Sequence, residues 1–317
     1  GRIHGSAEAL AFPLSTEEVS ALLRYAHEHR VPVTPRGAGT NLVGSTVPLE
    51  GGIILDLSRM DRVLELDEDT MTVTVEPGML LQDLQAYVEA RGLFYPPDPG
   101  EKASSIGGNI STNAGGMRAV KYGVTRDYVL ADGTVMQVGG KQGKDASGLS
   151  LKHLLIGSEG TLAVITKCLL RLVPTPEASL SVLVPYADLK TGIQSVLTIL
   201  RANANPTAVE FMERKVVALG ERFCGVSYPR PDAGSYILLT FDGRSEEVTA
   251  NAARVRSLAL QNGALDFIEL SDARQCADIW RVRGALVKAV EAVSEQEPVG
   301  IVVPISRAAD LIRFLND

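Results

Sequence analysis

Two glycine-rich stretches about seventy positions apart, Pro35 to Ser45 (PRGAGTNLVGS) and Ser104 to Gly116 (SSIGGNISTNAGG), constrain this chain more than any other feature. Glycine is costly to order and offers no side chain to pack. Clusters this dense mark places where backbone approaches a ligand or turns through positive φ. Successive main-chain N–H groups in such turns make an anion-binding nest. The Ser, Thr and Asn between the glycines add donors and acceptors without charge. The two stretches therefore read as two halves of one phosphate cradle, with a pair of long surface loops as the plain alternative.

A nucleotide-binding Rossmann unit is excluded. It needs strand, GxGxxG and helix in succession, whereas Gly37, Gly39 and Gly44 lack that spacing and follow a helix and a short strand. The formal charge of −7 removes the basic stripe that a nucleic-acid partner would need. An anionic ligand would be held mainly by backbone donors. Cys168, Cys224 and Cys276 stand far apart without paired spacing, so neither a disulfide framework nor a zinc site is indicated, and a reducing cytoplasm fits. No apolar run is long enough to span a membrane and no signal peptide is visible, which leaves peripheral attachment at the inner membrane open.

With 317 residues, 45% of them hydrophobic, the chain is long enough for two domains. Ser15 and Glu18 have capping-box spacing and open an amphipathic helix to Arg30. Val31 to Thr34 follows as a short segment in which proline disfavours a central strand. Ile53 to Asp56, Val63 to Leu66 and Thr72 to Val75 suggest one small sheet. A second helix runs from Leu80 to Arg91 with Gly92 placed to close it. Tyr95 to Pro99 reads as a stiff extended connector.

A strand and hairpin are expected around Val129 to Val138, and strand structure from Leu162 to Val173. The best boundary is Pro174 to Glu177, dividing residues 1–175 from 176–317. Beyond it, strands at Leu180 to Pro185, Thr207 to Met212, Tyr236 to Asp242 and Leu265 to Leu270 alternate with helices at Asp188 to Arg201, Arg214 to Phe223 and Glu246 to Asn262. A long helix from Ser271 to Val293, a strand at Ile301 to Val303 and a helix from Ser306 to Leu315 complete an α+β second domain.

PRGAGTNLVGS, SIGGNISTNAGGMRAVKYGVTRDYVL and GSEGTLAVIT, in this order, resemble the flavin domain of the vanillyl-alcohol-oxidase superfamily. The branch they resemble is that of the FAD-linked D-2-hydroxyacid dehydrogenases and the glycolate oxidase flavin subunit. The resemblance implies an α+β fold: a PCMH-type FAD-binding domain of two subdomains over 1–175, then an incomplete cap or substrate domain over 176–317. Trp280-Arg281-Val282-Arg283 and Val303 to Arg307 carry it into the second region.

It implies FAD held by Pro35, Arg36, Gly37, Ala38, Gly39, Thr40, Asn41, Gly44 and Ser45 in the first loop. Pro99, Ser104, Ser105, Gly107, Gly108, Asn109, Ser111, Asn113, Gly115, Gly116 and Tyr122 would flank it in the second, with Glu159, Gly160 and Ile165 near the cofactor. Arg36 either meets phosphate or supports the loop through an ion pair. Some related flavoproteins tether FAD through a histidine in the first loop; Thr40 and its neighbours offer none, so non-covalent FAD is expected.

Arg283, in the WxxR pattern, is the expected anchor for the carboxylate of a small 2-hydroxyacid such as D-lactate or glycolate. An arginine fork meets a carboxylate bidentately, and a salt bridge along a charged helix is its alternative. The hydride goes to flavin while a base takes the hydroxyl proton. The acceptor of the electrons stays open among a quinone, a cytochrome, an iron–sulfur subunit and an electron-transfer flavoprotein.

The sequence departs from the pattern in two places. It is shorter between Leu130 and Ala131, and it ends at Asp317, before the family's HxGDGNxH and Glu-His-Gly segments, which supply the base and in several members a divalent metal. No residue here is assigned to base or metal. That gap keeps a competing reading, a non-catalytic flavin-binding or electron-relay subunit; a reductase drawing on NAD(P)H lacks any nicotinamide signature.

Overall fold

The computed structural model describes residues 3–128, 141, 150–295, 300–304 and 307–316. The chain divides into two compact units, Gly1–Thr175 and Pro176–Asp317.

The first unit runs β1 (Ala9–Ala11), α1 (Thr16–His29), β2 (Val33–Arg36), β3 (Ile53–Asp56), β4 (Val63–Asp67), β5 (Thr72–Val75), α2 (Leu81–Glu89), β6 (Leu93–Phe94), α3 (Ile106–Ser111), α4 (Ala119–Tyr122), α5 (Leu151–Leu155), β7 (Cys168–Arg171) and β8 (Val173–Pro174). The three early strands expected to share a sheet do not. β3 lies between β1 and β2 in a parallel sheet, whereas β4 and β5 join β7 in an antiparallel one. β5 is buried along its whole length because it is the central strand of the second sheet.

Each sheet carries its own core. In the first, Val19 of α1 packs with Leu55, Leu57 and Met60, joined by Leu22, Leu23 and Val164. In the second, Val73 and Val75 meet Leu81, Leu84 and Val88 of α2 and Ile106 and Ile110 of α3, joined by Ile165. Val164 and Ile165, neighbours in sequence, thus belong to different cores.

Ser15 caps α1 as its spacing predicts, its Oγ accepting the Glu18 N–H at 3.2 Å. The Glu18 carboxylate reaches back to the Leu14 N–H at 2.7 Å, one residue before the usual capping-box donor. β2 is an edge strand, as Pro32 and Pro35 require, since neither can donate to a ladder. Residues 95–99 are irregular and buried throughout. From 162 to 173 strand structure is confined to β7 and the start of β8. The strand and hairpin expected over 129–138, and the shortened stretch at 130–131, lie outside the described residues.

The second unit holds a four-stranded antiparallel sheet in the order β10 (Ala208–Glu213), β11 (Ser235–Gly243), β9 (Ala178–Tyr186), β12 (Ile268–Glu269). Helices α6 (Leu189–Arg201), α7 (Arg214–Cys224), α8 (Ser245–Gln261) and α9 (Ala273–Glu291) cover it, and α10 (Ala308–Asn316) follows. Alternation along β9 and β11 builds both faces. Val182, Val184, Ile237 and Leu239 face Ile199, Val248 and Val255. Leu183, Tyr236 and Leu238 face Val217, Ile279 and Val282. The strand expected at Ile301 to Val303 is not formed: those residues are irregular, with Val302 98% exposed and no ladder to bury it.

Candidate functional site

The two glycine-rich stretches meet. The Ser105 hydroxyl at the head of the second accepts the N–H of Ala38 in the first and of Gly108 in its own, both at 3.3 Å. A Cβ on Gly37 would lie 2.1 Å from that same oxygen. One buried side chain therefore holds both loops at a separation only glycine allows.

Within the first loop Arg36 turns back beneath the chain. Its Nε lies 3.4 Å from Asp56 on β3, and its guanidinium backs onto Gly39, leaving Gly39 and Thr40 exposed at the head of the loop. Asn41 folds the far side, its Oδ1 accepting the Ser45 N–H at 3.1 Å and its amide reaching the Thr46 hydroxyl at 3.3 Å, across a turn in which Gly44 has φ +73°.

The second loop carries polar atoms with nowhere to go. Ser104 and Asn109 are 6% and 5% exposed, yet the Ser104 Oγ and Asn109 Nδ2 have no hydrogen-bond partner. Buried polar groups left this way cost roughly 1–3 kcal/mol each, so this pair, unlike the lone Thr207 hydroxyl of the second unit, stands where a bound group could complete the bonding. Gly107 and Gly108 divide the work. A Cβ on Gly107 would strike Pro77 at 2.5 Å, while one on Gly108 would meet only the Ser105 hydroxyl, at 3.0 Å. The first glycine is required by the protein's own packing, and the second borders space.

Past α3 the chain turns through Asn113 at φ +49°, whose Oδ1 accepts the Arg126 N–H at 3.0 Å. Arg126 also donates from its guanidinium to the Ile156 carbonyl at 3.1 Å, which joins the second loop to the third glycine turn. That turn is pinned to α3 as well: the Ser111 carbonyl accepts the Glu159 N–H at 2.8 Å. Gly160, at φ +79°, faces Pro35 at the foot of the first loop. Tyr122 packs edge-on against Phe94 beside the second core, and Gly115 lies near Val124.

Residues 7–141 match a model described as "FAD binding domain", and residues 175–317 one described as "FAD linked oxidases, C-terminal domain". A D-lactate dehydrogenase of Anaerostipes hadrus is 41% identical over 98% of this chain and 69% of its own length. The chain belongs to the FAD-linked oxidase family. The glycolate oxidase subunit GlcD of Bacillus subtilis is 37% identical over 98% of this chain and 67% of its own. Among solved structures, an alkyldihydroxyacetonephosphate synthase shares the fold, with a TM-score of 0.73 at 20% identity, covering 89% of this chain and 55% of that one.

FAD is the cofactor of this FAD-linked oxidase, and the two joined loops fit such a group: they offer the backbone donors that a diphosphate would use, with unsatisfied side-chain atoms on Ser104 and Asn109. In the second unit, Arg283 on α9 does not stand alone. Its Nε and one Nη donate to the Glu210 carboxylate on β10 at 2.8 and 2.5 Å, half-buried. Beside it the Trp280 indole donates to the Ser181 hydroxyl at 2.9 Å. Arg126 escaped the sequence reading because its role depends on two loops whose adjacency the chain order does not show.

Proposed function

We propose that this FAD-linked oxidase oxidises a small D-2-hydroxyacid of the D-lactate or glycolate class to the 2-oxoacid. The identity to D-lactate dehydrogenase over nearly the whole chain carries the reading. FAD, when bound, supplies the hydride acceptor. The chain's own residues bind and orient: the first loop would meet the diphosphate through the backbone N–H groups of Gly37, Gly39 and Thr40, the Ala38 N–H being held by Ser105, while Ser104 and Asn109 would give their unused hydrogen-bonding capacity to the cofactor.

Arg283 is the proposed carboxylate anchor. Glu210 fills the Nε side of its guanidinium and fixes its plane, so a substrate would engage the remaining edge of the fork. Three dispersed cysteines favour a reducing compartment such as the cytoplasm, and among the described residues no helix is long and apolar enough to cross a membrane.

The test is anaerobic mixing of the FAD-loaded protein, carried to the length of its reading frame, with D-lactate, L-lactate and glycolate. Bleaching of the flavin by the D-acid or glycolate and not by L-lactate is expected. A flavin that stays oxidised with each would overturn the dehydrogenase reading in favour of an electron-relay subunit. Arg283→Lys should lower kcat/KM by roughly 30-fold or more, since a point ammonium cannot reproduce two parallel bonds and loss of a desolvated charge pair costs about 2–5 kcal/mol.

A further inference from the structure

Asp98 lies in the proline-rich connector Tyr95 to Pro99, outside both glycine stretches, and is 5% exposed. A buried carboxylate needs partners, and these come from both sides of the second loop. Before the loop, the Lys102 ammonium contacts its Oδ1, and the Gln85 amide of α2 donates to the same oxygen at 3.4 Å and to the Pro97 carbonyl at 3.2 Å. After the loop, the Arg118 Nε lies 3.7 Å from its Oδ2, with the guanidinium over the Phe94 ring at 4.7 Å.

The main chain closes at the same point. A Cβ on Gly116 would lie 2.0 Å from the Asp98 carbonyl oxygen and 2.7 Å from the Pro99 nitrogen. The chain thus leaves at Asp98, runs through the whole second glycine stretch, and returns to Asp98 at Gly116 and Arg118. Two cations crowd one carboxylate there: burial, with Arg118's charge adding to it, pushes the Lys102 ammonium down to about 8.

We infer that Asp98 is a positioning residue for the FAD-linked oxidase, a clasp whose carboxylate and carbonyl tie the two ends of the second cradle loop so that Ser104, Gly108 and Asn109 are held ready for the cofactor. This rests on the reading of that loop as the FAD cradle. The clasp acts on loop geometry and makes no bond to the cofactor itself. Its loss should therefore weaken FAD binding beyond what it costs the fold, because its partners Lys102, Gln85, Gly116 and Arg118 bracket the second loop, whereas the apolar packing of the second core is made by α2, α3, β5 and β7.

The experiment is FAD titration of the apoprotein by flavin fluorescence, paired with thermal unfolding of the same apoprotein, for the parent, Asp98→Asn and Gly116→Ala. Asp98→Asn removes the charge and keeps the shape; Gly116→Ala keeps the charge and blocks the backbone closure. Each variant should melt below the parent, yet at a temperature where its apoprotein is still fully folded both should raise the Kd for FAD by tenfold or more, and Asp98→Glu should recover part of the affinity lost in Asp98→Asn. A parent that binds FAD alongside variants that bind it equally well would overturn the clasp alone. Variants whose affinity is normal wherever their apoprotein is folded would also overturn it, by making Asp98 a general stability residue; Asp98→Glu, which keeps the charge, decides this should Asp98→Asn fail to fold. A parent that takes up no FAD would overturn the cradle and the clasp together.

Discussion

The two units solve the same problem of burying apolar surface in opposite ways. The second is a continuous sheet with nine-residue strands β9 and β11, sandwiched by helices, and apart from the buried Thr207 hydroxyl its larger interior polar groups are matched: Arg283 with Glu210, Arg214 with Glu221 at 2.8 Å, the Tyr228 hydroxyl with the Ile279 carbonyl at 2.8 Å, and Tyr186 with Ser195 at 2.5 Å. The first has short strands in separate small sheets, close backbone approaches that only glycine permits, and buried polar atoms left open on Ser104 and Asn109. Satisfied side-chain packing makes a scaffold. Backbone crowding around unsatisfied donors makes a receptor, whose stability is completed by what it binds.

Substitution at adjacent glycines gives the largest separation between these two kinds of construction. Gly108→Val fills space bordered only by the Ser105 hydroxyl, so the fold should survive while FAD affinity falls by about 100-fold or more, equivalent to about 2.7 kcal/mol. Circular dichroism and a flavin titration read the two quantities separately. A folded variant with normal flavin absorbance would show that this loop is not the cradle. Gly107→Ala, one residue earlier, instead drives a methyl into Pro77 and should lower the thermal stability of the apoprotein by about 1–3 kcal/mol. If the two variants behaved alike, the division of labour drawn between the neighbouring glycines would be wrong.

In the second unit, Glu210→Ala leaves the Arg283 guanidinium half-buried without its carboxylate, which costs about 1–3 kcal/mol. Chemical denaturation should record that loss while the Kd for FAD stays at the parent value; a large change in flavin affinity would break the contrast between scaffold and receptor.

Covalent attachment is a yes-or-no test with no energetic scale. The yellow protein should release its flavin to the supernatant on acid precipitation, and colour retained in the pellet would refute non-covalent binding. The mildest effect is chemical. Burial pushes the Cys168 thiol up to about 12, so it should resist iodoacetamide in the folded protein, while the partly exposed Cys224 and Cys276 are alkylated first. Mass spectrometry before and after unfolding distinguishes them, and early modification of Cys168 would show that the second core opens readily.

The same contrast explains what could be read from the sequence. The strands and helices of the second unit follow long, regular alternations, and β9, β10, β11 and α6 to α9 fall close to where those patterns place them. In the first unit the pairing depends on distant partners. β5 looks like a neighbour of β3 in sequence, but its second ladder partner is β7, beyond all three glycine motifs, and the three-residue β1 is too short to show a period. The glycine motifs themselves were plain, because close approach leaves glycine no substitute. What they touch was not: Ser105 between the loops and Asp98 behind them are single polar residues whose meaning comes only from neighbours brought in by the fold.

The sharing of Val164 and Ile165 between two cores has a consequence for biosynthesis. β7 completes the sheet around β5, and Val164 and Ile165 fill both hydrophobic cores, so neither half of the first unit is finished when the last of the FAD-binding match at residue 141 has been translated. On the ribosome the nascent chain must wait until residue 171 has cleared the exit tunnel before both cores can close. Until then β5 has an unpaired edge, and that interval is when a chaperone has the most to protect.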